Sequence, residues 1–266
     1  MTQIAIITGA GSGIGQALAW ELAAREMQVL AVGRRKEMLE QTRARAPQYI
    51  HVVSADVATP EGCRAIVQAL PGPQVRFLVH NAAVLEPVDM LAKIKREDWR
   101  QAMAINVEGP LFLTQSLLPY LDGGRVLHIS SGAAHHPYAG WSAYCTTKAA
   151  LYMLLQVWRE ECREQNIRFG SARPGVVDTS MQALIRQTSA ARFPRVERFV
   201  QLKQNGLLVS PADAATFLAW VLLATTDREF NEQEFDINET QAHWHAFRAP
   251  EERSQPLYND RSAGRR

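Results

Sequence analysis

Short runs of apolar and β-branched residues alternate along the chain with longer segments whose apolar positions recur every three or four residues. The first kind suits strands buried on both faces and the second suits amphipathic helices, so their regular alternation predicts βαβ units and a mainly parallel sheet. Strand-like runs cover 3–8, 28–32, 49–54, 77–80, 125–130, 167–172 and 234–237. Helical period covers 14–26, 36–46, 60–70, 98–120, 143–165 and 211–224, with Pro60 and Pro211 at first-turn positions where a missing N–H costs nothing. Seven strands with helices on both faces predict one doubly wound α/β domain over 1–245. Right-handed crossovers then put any ligand site at the carboxyl ends of the strands. The stretch 178–209 has no strand pattern and reads as a mobile substrate lid with short helical pieces. Residues 246–266, charged and interrupted by Pro250, Pro256 and Gly264, read as a flexible tail.

Composition narrows the function classes. The chain is 47% apolar and 21% charged, near globular averages. Its net charge of +2 is accounted for by five arginines in 248–266 set against Glu251, Glu252 and Asp260, so the folded body is near neutral and nucleic-acid binding is not expected. Cys63, Cys145 and Cys162 are odd in number and lack metal-ligand spacing, which argues against a zinc site or a disulfide framework. The opening MTQIAIITG has no basic leader, and no apolar run is long enough for a membrane helix. A cytoplasmic protein with no membrane partner is expected.

Residues 8–15 read TGAGSGIG, directly after an apolar strand and before an amphipathic helix. Gly9, Gly13 and Gly15 would allow a tight turn, close backbone approach to a pyrophosphate and close helix packing, with Ser12 and Ile14 in the same turn at the helix N-terminus. The spacing is GxxxGxG and not the GxGxxG fingerprint, and a ligand-free glycine-rich turn is the structural alternative. Roughly twenty residues on, where an NAD enzyme presents a carboxylate to the ribose 2′-hydroxyl, the chain has Arg34 and Arg35 instead. Guanidinium forks suit a 2′-phosphate, so NADP(H) is the expected cofactor. Two solvated arginines opening a helix are the competing reading. Asp56 and Val57 follow the third strand within reach of an adenine edge, although an Asp there equally suits a helix start. Asn81, Ala82 and Ala83 follow the fourth strand, where small residues let the chain pass close to a ribose.

The stretch from Ile129 reads ISSGAAHHPYAGWSAYCTTKAAL. Tyr144 and Lys148 lie four apart in one expected helix and so share a face. A phenol is a reluctant acid or base at neutral pH, and a neighbouring ammonium favours its ionised form. Ser131 closes a strand thirteen residues upstream of Tyr144, where a hydroxyl could hold a substrate carbonyl in line. Ser130 is expected on the opposite face of that strand.

Taken in order, TGAGSGIG, the Asn81 segment, Asn106, the Ser131, Tyr144 and Lys148 set and RPGVVDT at 173–179 resemble the short-chain dehydrogenase/reductases over about 3–238. The resemblance implies a Rossmann-type fold without a metal. In it Tyr144 serves as general acid in reduction, Ser131 polarises the carbonyl, Lys148 binds the nicotinamide ribose and Asn106 holds a water for proton relay. For Asn106 a helix-interior amide bonding nearby backbone is the bland alternative. Pro174, Gly175, Val177 and Thr179 would embrace the nicotinamide carboxamide, and a homodimer or homotetramer would form through the long fourth and fifth helices.

GWSAYCTTKAALYMLLQV, PGVVDTSMQALIRQTS and FVQLKQNGLLVS further resemble the sepiapterin reductase and benzil (dicarbonyl) reductase group. That likeness implies NADPH-dependent reduction of a ketone or dicarbonyl, with Asp236 as the match for a pterin anchor or simply the close of the last strand. Ser12 stands where those reductases often carry an arginine. Trp141, Tyr138, Met181, Leu184 and Phe193 are candidates for an apolar substrate pocket, with core packing as the alternative. His135 and His136 are expected as exposed loop residues. The reading from another class is a catalytically idle NADP(H)-sensing regulatory protein of the same fold.

Overall fold

A computed structural model describes residues 3–247. Its seven strands are β1 Ile4–Thr8, β2 Gln28–Gly33, β3 Ile50–Ser54, β4 Val75–His80, β5 Arg125–Ile129, β6 Arg168–Arg173 and β7 Glu234–Asp236. They form one sheet in the order β3-β2-β1-β4-β5-β6-β7 with every pair parallel. All seven expected strands are present, and the sheet is parallel throughout, beyond the mainly parallel sheet expected. The order reverses direction between β1 and β4, and at such a switch point the loops on either side part to leave a crevice at the carboxyl edge.

Helices α1 Gly13–Ala23, α2 Lys36–Ala44, α3 Pro60–Gln68, α4 Arg96–Met103, α5 Gly109–Leu117, α6 Ser142–Glu161, α7 Ser180–Gln187, α8 Val196–Gln204, α9 Pro211–Leu223, α10 Asp227–Glu232 and α11 Gln241–Ala246 complete the chain. Period-two alternation in β1 sorts the core into two layers. Ala5 and Ile7 pack with Leu18 and Leu22 of α1 and Leu218 and Leu222 of α9. Ile6, facing the other way, packs with Leu113 and Leu117 of α5 and Leu155 of α6. Each face of the sheet thus buries a full apolar layer, which is why its strands read as continuous hydrophobic runs. Pro60 and Pro211 sit in their helices' first turns as expected, under the Thr59 and Ser210 caps. Arg125, 5% exposed at the start of β5, donates to Leu222 O (2.9 Å), Thr225 O (2.8 Å) and Asp227 Oδ1 (2.7 Å), so one guanidinium closes the end of α9.

Two expectations need correction, and two short helices went unpredicted. The helix expected over 98–120 is two helices joined by a wide turn at Ala104–Glu108, where Gly109 N–H reaches back to Ala104 O. Pro110 supplies the reason: it has no N–H to give the Asn106 carbonyl four residues earlier, so the ladder must change pitch. Residues 246 and 247, assigned to the tail, belong to the body: Ala246 ends α11, and the Phe247 ring lies 4.3 Å below the Arg25 guanidinium. The remainder of the expected tail, 248–266, lies outside the described residues. Finally, α10 and α11 carried too few apolar positions to stand out in the sequence. The stretch 178–209 does contain the expected short helices, α7 and α8, anchored at its base by a bridge between Val177 and Val209. Among the described residues no helix is long and apolar enough to cross a membrane, and all three cysteines are free.

Candidate active site

At the switch point the carboxyl-end loops enclose a cleft of ≈ 670 Å³ that runs from the glycine turn to Met181 and Asp236. Gly9 and Gly13 have φ of 68° and 57°, which favour glycine. A Cβ on Gly15 would stand 2.5 Å from Asn81 Nδ2 and 2.6 Å from Gly9 O, so the turn closes only around a hydrogen. The turn is tied to β4 by Thr8, whose hydroxyl donates to Val79 O (3.2 Å) and accepts from Asn81 N and Ala82 N (both 3.0 Å). Asn81 returns the bond through Nδ2 to Thr8 O (2.8 Å). Asn81 thus clamps the turn from below, and Thr8, which the sequence reading passed over, is the hub of that clamp.

At the start of α1, Ser12 makes no side-chain cap and the first turn has no acidic residue. Its N–H groups therefore face the cleft uncompensated, as an anion site requires. Arg34 and Arg35 stand exposed at the cleft rim, and Asp56, Val57 and Ala82 line the same end. Asp56 Oδ1 also accepts from Ala58 N (3.0 Å), an Asx turn leading into α3.

The reactive end is built by β5 and α6. Tyr144 and Lys148 lie on the buried face of α6 with Thr147 and Leu151, so the four-residue spacing does bring them to one side. Lys148 Nζ donates to Ile129 O (2.7 Å), fastening the helix to the end of β5, and lies 5.7 Å from the Tyr144 ring centroid. Burial drives the Lys148 pKa down to about 8, since an ammonium there has lost its water. Burial also pushes the Tyr144 phenol up to about 12, with the neighbouring Ser131 hydroxyl pulling the other way. The tyrosine therefore holds its proton at neutral pH. Ser131 Oγ accepts from Ala133 N (3.2 Å), which leaves its own O–H free to point elsewhere.

Asn106 is buried behind this group. Its Oδ1 accepts from Val84 N (2.9 Å), and its Nδ2 donates to Val84 O (2.8 Å) and Thr147 Oγ1 (3.0 Å). Both donors of the amide are used within the protein, so the backbone-bonding alternative describes the side chain, while the Asn106 carbonyl has lost its usual helical donor at Pro110. Thr147, also absent from the sequence reading, relays this to α6 by donating to Tyr144 O (2.9 Å).

Around the far end, Pro174, Gly175, Val177 and Thr179 follow β6 into the cleft, and Trp141, Tyr138, Met181 and Leu184 form an apolar wall. Phe193 does not face the cleft: it is fully buried and stacks on the back of Trp141 with centroids 4.5 Å apart. Phe199 and Gln182 line the wall instead, positions with no distinctive sequence signal. Asp236 does reach the cleft, where Arg173 Nη2 stands 3.3 Å from its carboxylate. Ser130 is buried at the end of β5 and borders the same cleft.

Two neutral histidines are buried beside this machinery. His80 and His128 are register partners on β4 and β5, edge to face at 5.0 Å, with His80 Nε2 paired to Thr114 Oγ1 (2.8 Å). Burial lowers both, His128 from 6.5 to about 3. Below pH 6.5 the unfolded chain binds protons that the folded chain refuses, so stability falls as pH drops toward 3, by up to about 1.4 kcal/mol per pH unit for His128, with His80 acting in the same direction. Chemical denaturation midpoints across that range should show this slope, and His128→Leu should make it shallower.

Residues 3–190 match the family model described as short chain dehydrogenase. The chain is 36% identical over 221 residues to a benzil reductase ((S)-benzoin forming) of Bacillus cereus, covering 77% of this chain and 88% of that protein. A benzil reductase of Saccharomyces cerevisiae is 30% identical over 257 residues, 90% of this chain and 97% of its own. Among solved structures, the KRED1-Pglu enzyme superposes with a TM-score of 0.81 at 32% identity, covering 88% of this chain and all (100%) of that one. With the seven-stranded parallel sheet, the glycine turn at the switch point and the Ser131, Tyr144 and Lys148 group at its reactive end, the chain belongs to the short-chain dehydrogenase/reductase family of oxidoreductases.

Proposed function

We propose that the protein is an NADPH-dependent carbonyl reductase acting on bulky ketones and 1,2-dicarbonyls, benzil-like or sepiapterin-like in shape. The observation that carries this reading is a buried Tyr144 set with Ser131 and Lys148 at one end of a cleft whose other end is a glycine turn at a bare helix N-terminus. A nicotinamide dinucleotide would lie along that cleft with its pyrophosphate at the uncapped N-terminus of α1, and it would supply the hydride.

This chain's residues do the rest. Gly9, Ser12, Gly13, Ile14 and Gly15 bind phosphate, Asp56 and Val57 the adenine side, and Pro174, Gly175, Val177 and Thr179 the carboxamide. Ser131 donates to the substrate carbonyl and holds it in line, and Tyr144 delivers the proton to the forming alkoxide. Lys148, held on Ile129 O, binds the ribose and returns Tyr144 to its protonated state, and Asn106 holds the water that resupplies it. Trp141, Met181 and the lid 178–209 close over the substrate, with Asp236 at the far wall for a polar arm. Phe112 of α5 and Met153 and Val157 of α6 are exposed apolar side chains (48%, 60% and 42%), which supports self-association as a dimer or tetramer.

The test is oxidation of reduced nicotinamide in the presence of a 1,2-diketone, compared with NADH. NADPH should be strongly preferred, and the Arg34→Ala, Arg35→Ala double variant should raise KM for NADPH about 10- to 100-fold through lost charge-assisted bonds while NADH use changes little. Equal loss with both cofactors would refute the arginine assignment. No turnover of any ketone, with cofactor bound, would favour an idle nucleotide sensor.

A further inference from the structure

Glu234 opens the edge strand β7, far from the catalytic group in sequence, yet its carboxylate joins the two segments that border the reaction site. Oε2 accepts from His135 Nε2 (2.7 Å), and Oε1 accepts from Ser171 Oγ of β6 (2.8 Å). Arg173 Nε stands 3.3 Å from Oε2, and Arg173 is the last residue of β6 before Pro174. Since a carboxylate only accepts, Nε2 of His135 must carry the proton whatever the charge of the ring. The Glu234 side chain is 13% exposed and that of His135 30%. The ring is further located edge-on against Tyr152 of α6 at 4.8 Å.

His135 ends the short turn Gly132–Ala134 that begins at Ser131. Inside that turn His135 N donates to Gly132 O (3.1 Å), Ala134 N donates to Ser131 O (2.9 Å), and Ala133 N donates to Ser131 Oγ. The bond at Ala133 uses a lone pair of Ser131 and so fixes where its oxygen sits, leaving the O–H to be given to a partner in the cleft. One end of the turn is held by β5; the other is held by the His135 side chain and, one residue on, by Cys145 Sγ at His136 O (3.8 Å).

We propose that the His135–Glu234 pair is a positioning device for catalysis: it fixes the turn that aims the Ser131 hydroxyl, and through Arg173 it ties that turn to the loop expected to hold the nicotinamide. Neither residue touches the reacting atoms. The inference rests on the carbonyl-reductase reading, because it assigns a role relative to Ser131.

The experiment uses the full chain with NADPH and a 1,2-diketone, and follows amide hydrogen exchange over 132–136 in parallel. His135→Ala should lower kcat about 5- to 10-fold without a matching rise in KM for NADPH, and Glu234→Ala should lower kcat alike and also raise that KM. His135→Gln, whose Nε2 can take the place of the imidazole Nε2, should recover most of the loss. The double alanine variant should be no worse than the more damaging single, as expected for one shared interaction. Exchange over 132–136 should quicken in both alanine variants and not in His135→Gln. Wild-type kcat in His135→Ala, failure of the glutamine to rescue, multiplying losses or unchanged exchange would each overturn the device. A wild type that reduces no ketone would overturn the reductase reading instead, and the exchange comparison would still decide whether the pair holds the turn.

Discussion

Tyr144→Phe should reduce turnover about a thousandfold while leaving NADPH binding intact. The variant removes one oxygen from a side chain that is 8% exposed, and the ring keeps its edge-on contact with Trp141 at 5.8 Å. The Lys148 bond to Ile129 O is untouched, so the helix stays fastened and the cleft keeps its shape. What disappears is the proton donor. A positioned general acid is worth roughly 10²- to 10⁴-fold, and the solvent offers no substitute inside a closed cleft. Single-turnover measurements with the diketone would read the chemical step, and fluorescence of bound NADPH would report binding. Loss of less than about tenfold would remove Tyr144 from the role of acid.

Lys148→Met should show two opposite changes in one protein. Turnover should fall by about 10²-fold or more, because Tyr144 loses the group that restores its proton. The cofactor-free protein should nevertheless become more stable near neutral pH. Lys148 is 4% exposed, and its pKa falls from 10.5 to about 8, so below pH 8 the folded chain carries a buried ammonium that the unfolded chain keeps in water. Exchanging it for a thioether of similar length should yield on the order of 2 kcal/mol, after allowing for the Ile129 carbonyl left without its donor. The sign with pH follows. Between about 8 and 10 the unfolded lysine binds a proton that the folded one has released, so wild-type stability rises with pH across that window, and the variant should not show the rise. Denaturant titrations at several pH values would check both statements. A destabilised variant at neutral pH would mean that the ammonium is better paired than its single bond to Ile129 suggests.

Most of the frame was legible because it depends on local pattern. β1, β2 and β4 are buried runs bounded by turns, and Pro60 and Pro211 marked helix starts by their missing N–H. The Tyr144 and Lys148 pair was legible for the same reason, since helical geometry alone puts residues four apart on one face. What remained hidden rests on contacts distant in the chain. Nothing near Thr8 shows that its hydroxyl will meet residues 81 and 82, and nothing near residue 135 points to residue 234. Phe193 shows the opposite failure: its character as a large apolar residue suited a pocket or a core equally, and only its packing behind Trp141 decided the matter. At Asn106 the family likeness pointed to a water site, whereas the decisive local fact was the proline four positions later.

Ser131, Tyr144 and Lys148 all leave a single short stretch anchored on β5, whereas the wall opposite them is drawn from Met181 through Phe199, two helices fastened at their base by the Val177 to Val209 bridge. Proton handling is therefore written in one part of the polypeptide and much of molecular choice in another, with Tyr138 and Trp141 of the wall staying beside the acid. A transplant of 180–208 from a relative should change which ketone is admitted and on which side it is attacked, while the acid and its support go on working as before.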